Sequence, residues 1–206
     1  MIEVKSHAKY LGVLLDDNLN WKAQIQHVNL KISKGLGILA KLRHVVPEKT
    51  LRSLYKSFIQ PHIDYGSLVW GSATKSNLTK IAKSTKKAVR IMTFKQKYEN
   101  TAPLFQKLNL LPLEKNILFL QAKFMWKFVH GCLPQSINEI FNNNVKNEKS
   151  KTDRLFLPYR RTNIGQRFLS YGGIKLWNEG IPSDIKAKSK ISDFLSAYNK
   201  HLLSEI

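Results

Sequence analysis

The feature that most constrains the fold is a helical spacing of apolar residues. From residue 21 the apolar positions follow one another at intervals of three and four, which places them on one face of an α-helix. These positions are Trp21, Ile25, Val28, Ile32, Leu36, Leu39 and Leu42. Asn20 stands where a helix-capping side chain is expected. The pattern therefore predicts a long amphipathic helix over residues 20–44.

Prolines, glycines and capping residues divide the following sequence into further helices, because each disfavours the helix interior. The predicted later helices begin at Pro47, at Ser76 or Asn77, after Pro103, after Pro112 and at Ser189. The helix after Pro112 is apolar on nearly all sides up to Gly131, which predicts a central, buried position.

One short segment departs from this spacing. Residues 9–15, Lys-Tyr-Leu-Gly-Val-Leu-Leu, have the composition of a buried β-strand, and Asp16-Asp17-Asn18 ends the run. Because one strand cannot form a sheet, we expect the chain to begin inside a domain whose other strands are missing. The predicted fold is mainly α: a helical bundle with a remnant β-strand at the N-terminus and a small α+β C-terminal module.

Composition indicates where these parts separate. Residues 142–151 are polar and contain no aromatic side chain, which is typical of a mobile linker. The predicted regions are a strand remnant (1–19), a helical region (20–98), a helical extension (99–142), a linker (143–153) and a C-terminal module (154–206).

The charge balance indicates the partner. The chain has 34 Lys and Arg against 14 Asp and Glu, a net charge of +20, which favours a polyanion. Lysine outnumbers arginine, and because lysine is a flexible point charge, contacts with phosphates are expected more than readout of base edges. The alternative is a basic surface that only keeps the protein soluble.

The cations are densest on the predicted third helix. Eight of them and no acidic residue lie between Lys75 and Lys97. Lys80, Lys83, Lys87 and Arg90, with Lys86 beside them, follow helical spacing and form one stripe. A solvated helix usually intersperses glutamate, so the stripe favours phosphate binding over simple solvation. A second cluster around Lys149 is diluted by Glu148 and Asp153 and is interpreted as a solvated linker.

Several kinds of chemistry find no support in the sequence. Cys132 is the only cysteine, and no two histidines have the spacing of a metal site on one helix. Asp16-Asp17 resembles a metal-binding pair, but two-metal catalysis also needs a carboxylate from another strand. A polar turn is the favoured interpretation. We therefore expect no catalytic residue, metal or cofactor in this chain, and most aromatic residues are expected in the core.

The sequence carries neither a signal peptide nor an apolar run long enough to span a membrane, so no membrane contact and a cytoplasmic or nuclear location are expected.

An ordered series of motifs resembles the reverse transcriptases of LINE-type, non-LTR retrotransposons, in particular the jockey-like members. The N-terminal motifs are Lys9-Tyr10-Leu11-Gly12-Val13, Leu15-Asp16, Leu19 and Trp21. Those of the middle are Leu42-Arg43, Pro47, Leu54-Tyr55, Pro61, Tyr65-Gly66, Trp70-Gly71, Lys86-Lys87-Ala88 and Leu110-Leu111-Pro112-Leu113. Those of the C-terminus are Arg161-Thr162, Leu176-Trp177-Asn178 and Ile181-Pro182.

The resemblance implies the end of a polymerase palm, a helical thumb and the region after it. Tyr10, Leu11 and Gly12 would belong to a primer-grip-like hairpin, and the lysine-rich helix would hold the phosphates of an RNA–DNA hybrid or duplex. The palm aspartates that bind Mg²⁺ in such polymerases and the endonuclease are not in this sequence. The chain is therefore expected to be a truncated C-terminal fragment, inactive alone and completed by the missing palm. The alternative is a structural remnant with no selected activity.

Overall fold

The computed structural model describes residues 7–139 and 154–206 and confirms a mainly α-helical fold with β structure at the N-terminus. In the first part of the chain the elements are β1 His7–Tyr10, β2 Val13–Asp16, α1 Lys22–Leu42, α2 Glu48–Phe58, α3 Gln60–Asp64, α4 Ser67–Trp70, α5 Lys75–Met92, α6 Ala102–Leu108 and α7 Leu113–Val129. Those of the last part are α8 Asn163–Arg167, α9 Leu169–Lys175, a π-helical turn Leu176–Gly180, α10 Ser183–Lys186 and α11 Ile191–Ser204.

The chain folds into two compact units, one up to Glu114 together with Ile206, the other from Lys115 to Glu205. The predicted linker 143–153 lies outside the described residues, as do three cations of the second cluster, Lys146, Lys149 and Lys151. In the described part of the chain no helix is both long and apolar enough to cross a membrane.

The prediction of one buried strand over 9–15 was wrong. The segment forms an antiparallel hairpin in which His7 pairs with Asp16 and Tyr10 with Val13. Leu11 and Gly12 have φ angles of 45° and 80° and form its two-residue turn, a geometry that glycine adopts readily. The Leu11-Gly12 turn divides the apolar run into two strands. Strand β1 is exposed and β2 is half-buried, so neither is enclosed in a sheet as a buried strand would be.

Strand β2 leads into α1 through a connection that its side chains hold. The two carboxylate oxygens of Asp16 accept hydrogen bonds from the backbone N–H groups of Asn20 and Trp21, at 2.8 and 2.7 Å. The Asn20 side chain accepts from the Lys22 N–H at 2.9 Å. The residue that directly precedes α1 is nevertheless Trp21, which is 2% exposed and makes no capping bond through its side chain. Asp16 therefore holds the connection before the helix, while the Asn20 side chain bonds to the N–H of the first residue of α1.

The core of the first unit lies between α1 and α5. Helix α1 buries Ile25, Ile32 and Leu39, and α5 buries Ile81 and Met92. Both sets have the apolar spacing of an amphipathic helix, which is why the sequence locates these helices. Helix α5 begins at Lys75, one or two residues before the predicted start.

The early start of α5 has a local cause. The Thr74 hydroxyl accepts a hydrogen bond from the Asn77 N–H at 3.4 Å and so caps the helix. The prediction had placed the start at Ser76 or Asn77, one or two residues inside the observed helix.

Two glycines of α1 provide a matched test of how closely the helices pack. A Cβ atom on Gly35 would lie 2.6 Å from Ile59 Cγ1 and 3.2 Å from the Phe58 carbonyl oxygen, whereas one on Gly37 would meet nothing within 4 Å. We expect Gly37→Ala to raise the free energy of unfolding by about 0.5–1 kcal/mol, since alanine favours a helix over glycine.

Gly35→Ala should instead lower the free energy of unfolding by roughly 1 kcal/mol, because an overpacking cost of about 1–3 kcal/mol exceeds the helix gain. Urea unfolding of both variants measures the difference. Equal stabilisation by both alanines would contradict the close approach of α1 to Ile59.

The second unit has an aromatic core of its own. Trp177, Phe194 and Tyr198 are buried, with the Phe194 ring centroid 6.2 Å from that of Trp177 and 6.0 Å from that of Tyr198. Burial raises the pKa of Tyr198 to about 12. A salt bridge joins Lys115 on α7 to Glu205 just after α11. The described residues of 154–206 include helices and no strand, and residues 154–161 have no regular secondary structure, so the expectation of a β part in this module was wrong.

Candidate nucleic-acid interface

Helix α5 separates its apolar and cationic residues onto opposite sides. Ile81, Ala88 and Met92 are buried, while the four lysines of the stripe are exposed. These lysines are Lys80, Lys83, Lys86 and Lys87. Burial of one face fixes the direction of the other, so the packed core holds the lysines toward solvent.

Arg90, the fifth predicted phosphate ligand, is placed differently. It is half-buried, and its Nε and Nη2 groups both donate to the Glu99 carbonyl oxygen, at 3.1 and 2.9 Å. The Arg90 carbonyl oxygen accepts from the Lys95 N–H at 2.9 Å. In this structure Arg90 therefore anchors the segment that follows α5.

That segment, residues 94–99, is called the anchored loop below. The Glu99 carboxylate accepts from the Gln96 N–H at 3.1 Å and lies 3.1 Å from the Lys95 ammonium. The backbone hydrogen bond from Gln96, followed by the bond from Lys95, lowers the pKa of Glu99. These bonds tie both ends of the loop to α5 and to each other.

Helix α5 and the anchored loop line an open groove of about 730 Å³. Among the described residues that line it, six are cationic and none is acidic. Its lining is Lys83, Lys86, Lys87, Arg90, Ile91, Lys95, Lys97 and Tyr98. Lys80 lies on the stripe about two turns before Lys87 and does not line the groove. The groove can attract phosphates from several directions at once.

Tyr98 is the groove residue that sequence reasoning missed. It is 88% exposed and has no apolar periodicity around it, so helical patterns could not single it out. The available signal was its position, because this aromatic residue directly follows Lys97, and Lys95 lies three residues before it, in a stretch with no helical spacing.

The predicted primer-grip-like residues form the tip of the hairpin. Tyr10 and Leu11 are 66% and 75% exposed. The Tyr65 hydroxyl donates to the Leu11 carbonyl oxygen, and a Cβ on Gly12 would lie 3.4 Å from the Tyr65 ring. Tyr65, which lies between α3 and α4, thus contacts the backbone of the hairpin tip and leaves the side chains of Tyr10 and Leu11 accessible.

Two histidines that are distant in sequence lie close to Gly12 of this tip, in a second groove. His27 and His62 line a groove of about 260 Å³ together with Lys31. Partial burial, followed by the charge of Lys31, lowers the pKa of both imidazoles below the usual histidine value. Both side chains are therefore mainly neutral at pH 7.

The aspartate pair after β2 is divided between two roles. Asp16 is engaged with backbone N–H groups, and Asp17 accepts a hydrogen bond from the Asn18 side chain at 2.8 Å. Within the described residues, no three His, Cys, Asp or Glu side chains form a group that could hold a metal ion.

Two known proteins are similar to part of this chain. Over 120 residues, 57% of its length, the chain is 29% identical to the probable RNA-directed DNA polymerase from transposon BS of Drosophila melanogaster. Over 90 residues, 42% of its length, it is 30% identical to the corresponding protein from transposon X-element of the same organism. Over these parts of its length the chain is similar to RNA-directed DNA polymerases from transposons.

The relationship covers a small part of those proteins. The aligned stretches span 13% of the transposon BS protein and 10% of the transposon X-element protein. No protein-family model and no solved structure matches the chain.

Proposed function

We propose that this chain is the thumb and post-thumb part of a LINE-type, jockey-like reverse transcriptase, and that it holds the template–primer duplex through its phosphates. The observation that carries the proposal is the groove beside α5, in which six cations and no acidic residue lie among the described lining residues. The relationship to two transposon RNA-directed DNA polymerases supports the same assignment.

The length of the stripe suits a nucleic-acid backbone. Lys80 and Lys87 are separated by seven residues, which is about 10 Å along a helix. A nucleic-acid strand advances about 3.4 Å per phosphate along its axis, so the stripe spans about three steps and can reach about four phosphates of one strand. Lysine contacts of this kind recognise charge and not sequence.

We assign holding, not polymerisation, to this chain. Two-metal phosphoryl transfer needs several carboxylates around Mg²⁺, and these would come from the palm of a complete enzyme. In that assembly the hairpin tip, Tyr10 to Gly12, would approach the primer end, in the cytoplasm or the nucleus. The second candidate function is a structural remnant without selected activity, which the high positive charge alone would not distinguish from a binding module.

Salt dependence of binding tests the proposal. The affinity of the purified chain for a labelled RNA–DNA hybrid and for unrelated duplexes should be similar, because phosphates are the ligands. If about four phosphates are neutralised, log affinity against log salt should have a slope near −3 to −4, or about 100-fold between 50 and 200 mM salt. Fluorescence anisotropy measures both quantities. Absence of binding at 50 mM salt would favour the structural remnant.

A further inference from the structure

We infer that Tyr98 is a stacking platform for an unpaired nucleobase, so that the groove binds the single-stranded end of a nucleic acid whose phosphates lie on α5. The inference rests on the proposed function and adds the chemical class of the ligand. Phosphate binding by lysines makes no distinction between paired and unpaired nucleotides, whereas an accessible aromatic ring does.

Exposure alone does not single out Tyr98. Its side chain is 88% exposed, but Tyr159, in the second unit, is 85% exposed. The surroundings differ, because Tyr98 borders a groove lined by Lys83, Lys86 and Lys87. Aromatic side chains beside a cationic track are the usual construction of sites for single-stranded nucleic acid, where bases stack and phosphates follow the charges.

The backbone on both sides of Tyr98 is held before any ligand arrives. On its C-terminal side, the Glu99 carbonyl oxygen accepts both hydrogen bonds from Arg90. On its N-terminal side, Phe94 packs under the Arg43 guanidinium, whose central carbon lies 4.8 Å from the ring centroid, and against the edge of His44. Anchoring on both sides reduces the conformational entropy that binding would cost, which is the benefit of a preorganised site.

Charge around the ring favours a nucleotide over other aromatic ligands. The Lys97 ammonium lies 5.5 Å from the Tyr98 ring centroid, toward one face of the ring. A base stacked on the opposite face would bring its own phosphate toward the lysines of α5. The negative charge of Glu99, the acid of this loop, is compensated by the Lys95 ammonium and by the Gln96 N–H.

Base pairing decides which nucleic acid fits. Within a duplex the base faces are covered by neighbouring pairs, whereas an unpaired base offers a free face to a protein ring. The ligand assigned to Tyr98 is therefore an unpaired nucleotide next to a duplex, or a single strand, of RNA or DNA.

The test compares a blunt duplex with the same duplex carrying a short single-stranded overhang. The native protein should bind the overhang form about 5- to 100-fold more tightly than the blunt form, as expected for one stacked base. Tyr98→Ala should remove this preference without changing the salt dependence on the blunt duplex. Tyr98→Phe should retain it, because the ring and not the hydroxyl stacks. Tyr159→Ala, the equally exposed control, should behave as the native protein does.

The possible results separate the two proposals. Salt-dependent binding with no preference for the overhang, or a preference that survives Tyr98→Ala, would overturn the stacking role and leave phosphate holding intact. Equal weakening of both ligands by Tyr98→Ala would also overturn it, because the ring would then support the groove and not read an unpaired base. No binding of either ligand by the native protein would overturn the proposed function itself, and the stacking role with it.

Discussion

Reversing Lys80, Lys83, Lys86 and Lys87 to glutamate should abolish salt-dependent binding of duplex or hybrid nucleic acid. Each substitution replaces attraction to a phosphate with repulsion, and together they remove the contacts expected to give a slope of about −3.6 against log salt, or about 0.9 per phosphate. Arg90 is left unchanged, because it anchors the loop through the Glu99 carbonyl oxygen. Changing Arg90 to glutamate would remove a positive charge and the anchor of the loop together, so the two effects on affinity could not be separated.

The matched control reverses four exposed lysines elsewhere in the same unit: Lys22, Lys34, Lys41 and Lys49. Both variants change the net charge equally, so any difference in affinity between them measures position. Circular dichroism should show unchanged helical content in both, because all eight side chains are exposed. If both variants lose affinity equally, net charge alone accounts for binding and the structural remnant becomes the better description.

The long helices were predictable because their information is local. Apolar spacing located α1, α5 and α11 to within a few residues, since each buries one face and the intervals of three and four record that face. The ends were less predictable. Thr74 begins α5 through a side-chain bond that Ser76 and Asn77, also good capping residues, offered equally well in sequence.

The hairpin and the groove depend on contacts that sequence spacing does not contain. The pair Leu11-Gly12 forms a turn whose tip is held by Tyr65, 54 residues away. The lysine stripe was predicted from α5 alone, but the change in the role of Arg90 follows from a carbonyl oxygen nine residues later. The position of Tyr98 at the groove follows from the geometry of the anchored loop, which no periodic pattern in the sequence encodes.

The two adjacent aspartates after β2 should respond very differently to substitution. The Asp16 carboxylate accepts from two backbone N–H groups at 2.8 and 2.7 Å, immediately before the N-terminus of α1. Asp16→Ala should lower the free energy of unfolding by about 2 kcal/mol, since it removes two hydrogen bonds to a charged acceptor and a favourable interaction with the helix dipole. Asp17 is exposed and, among the described residues, bonds to the neighbouring Asn18 alone, so Asp17→Ala should change stability by less than about 0.5 kcal/mol.

Substitutions at the same two residues test the alternative in which Asp16 and Asp17 bind catalytic metal ions. Urea unfolding gives the stability, and a primed RNA template with Mg²⁺ and nucleotides gives the activity. We expect no nucleotide incorporation by the native chain alone, because Asp16 already directs both oxygens at the backbone. Incorporation by the native protein that either Asp16→Asn or Asp17→Asn abolishes would contradict the structural role. Equal stability losses from Asp16→Ala and Asp17→Ala would show that the backbone bonds of Asp16 contribute little to holding β2 against α1.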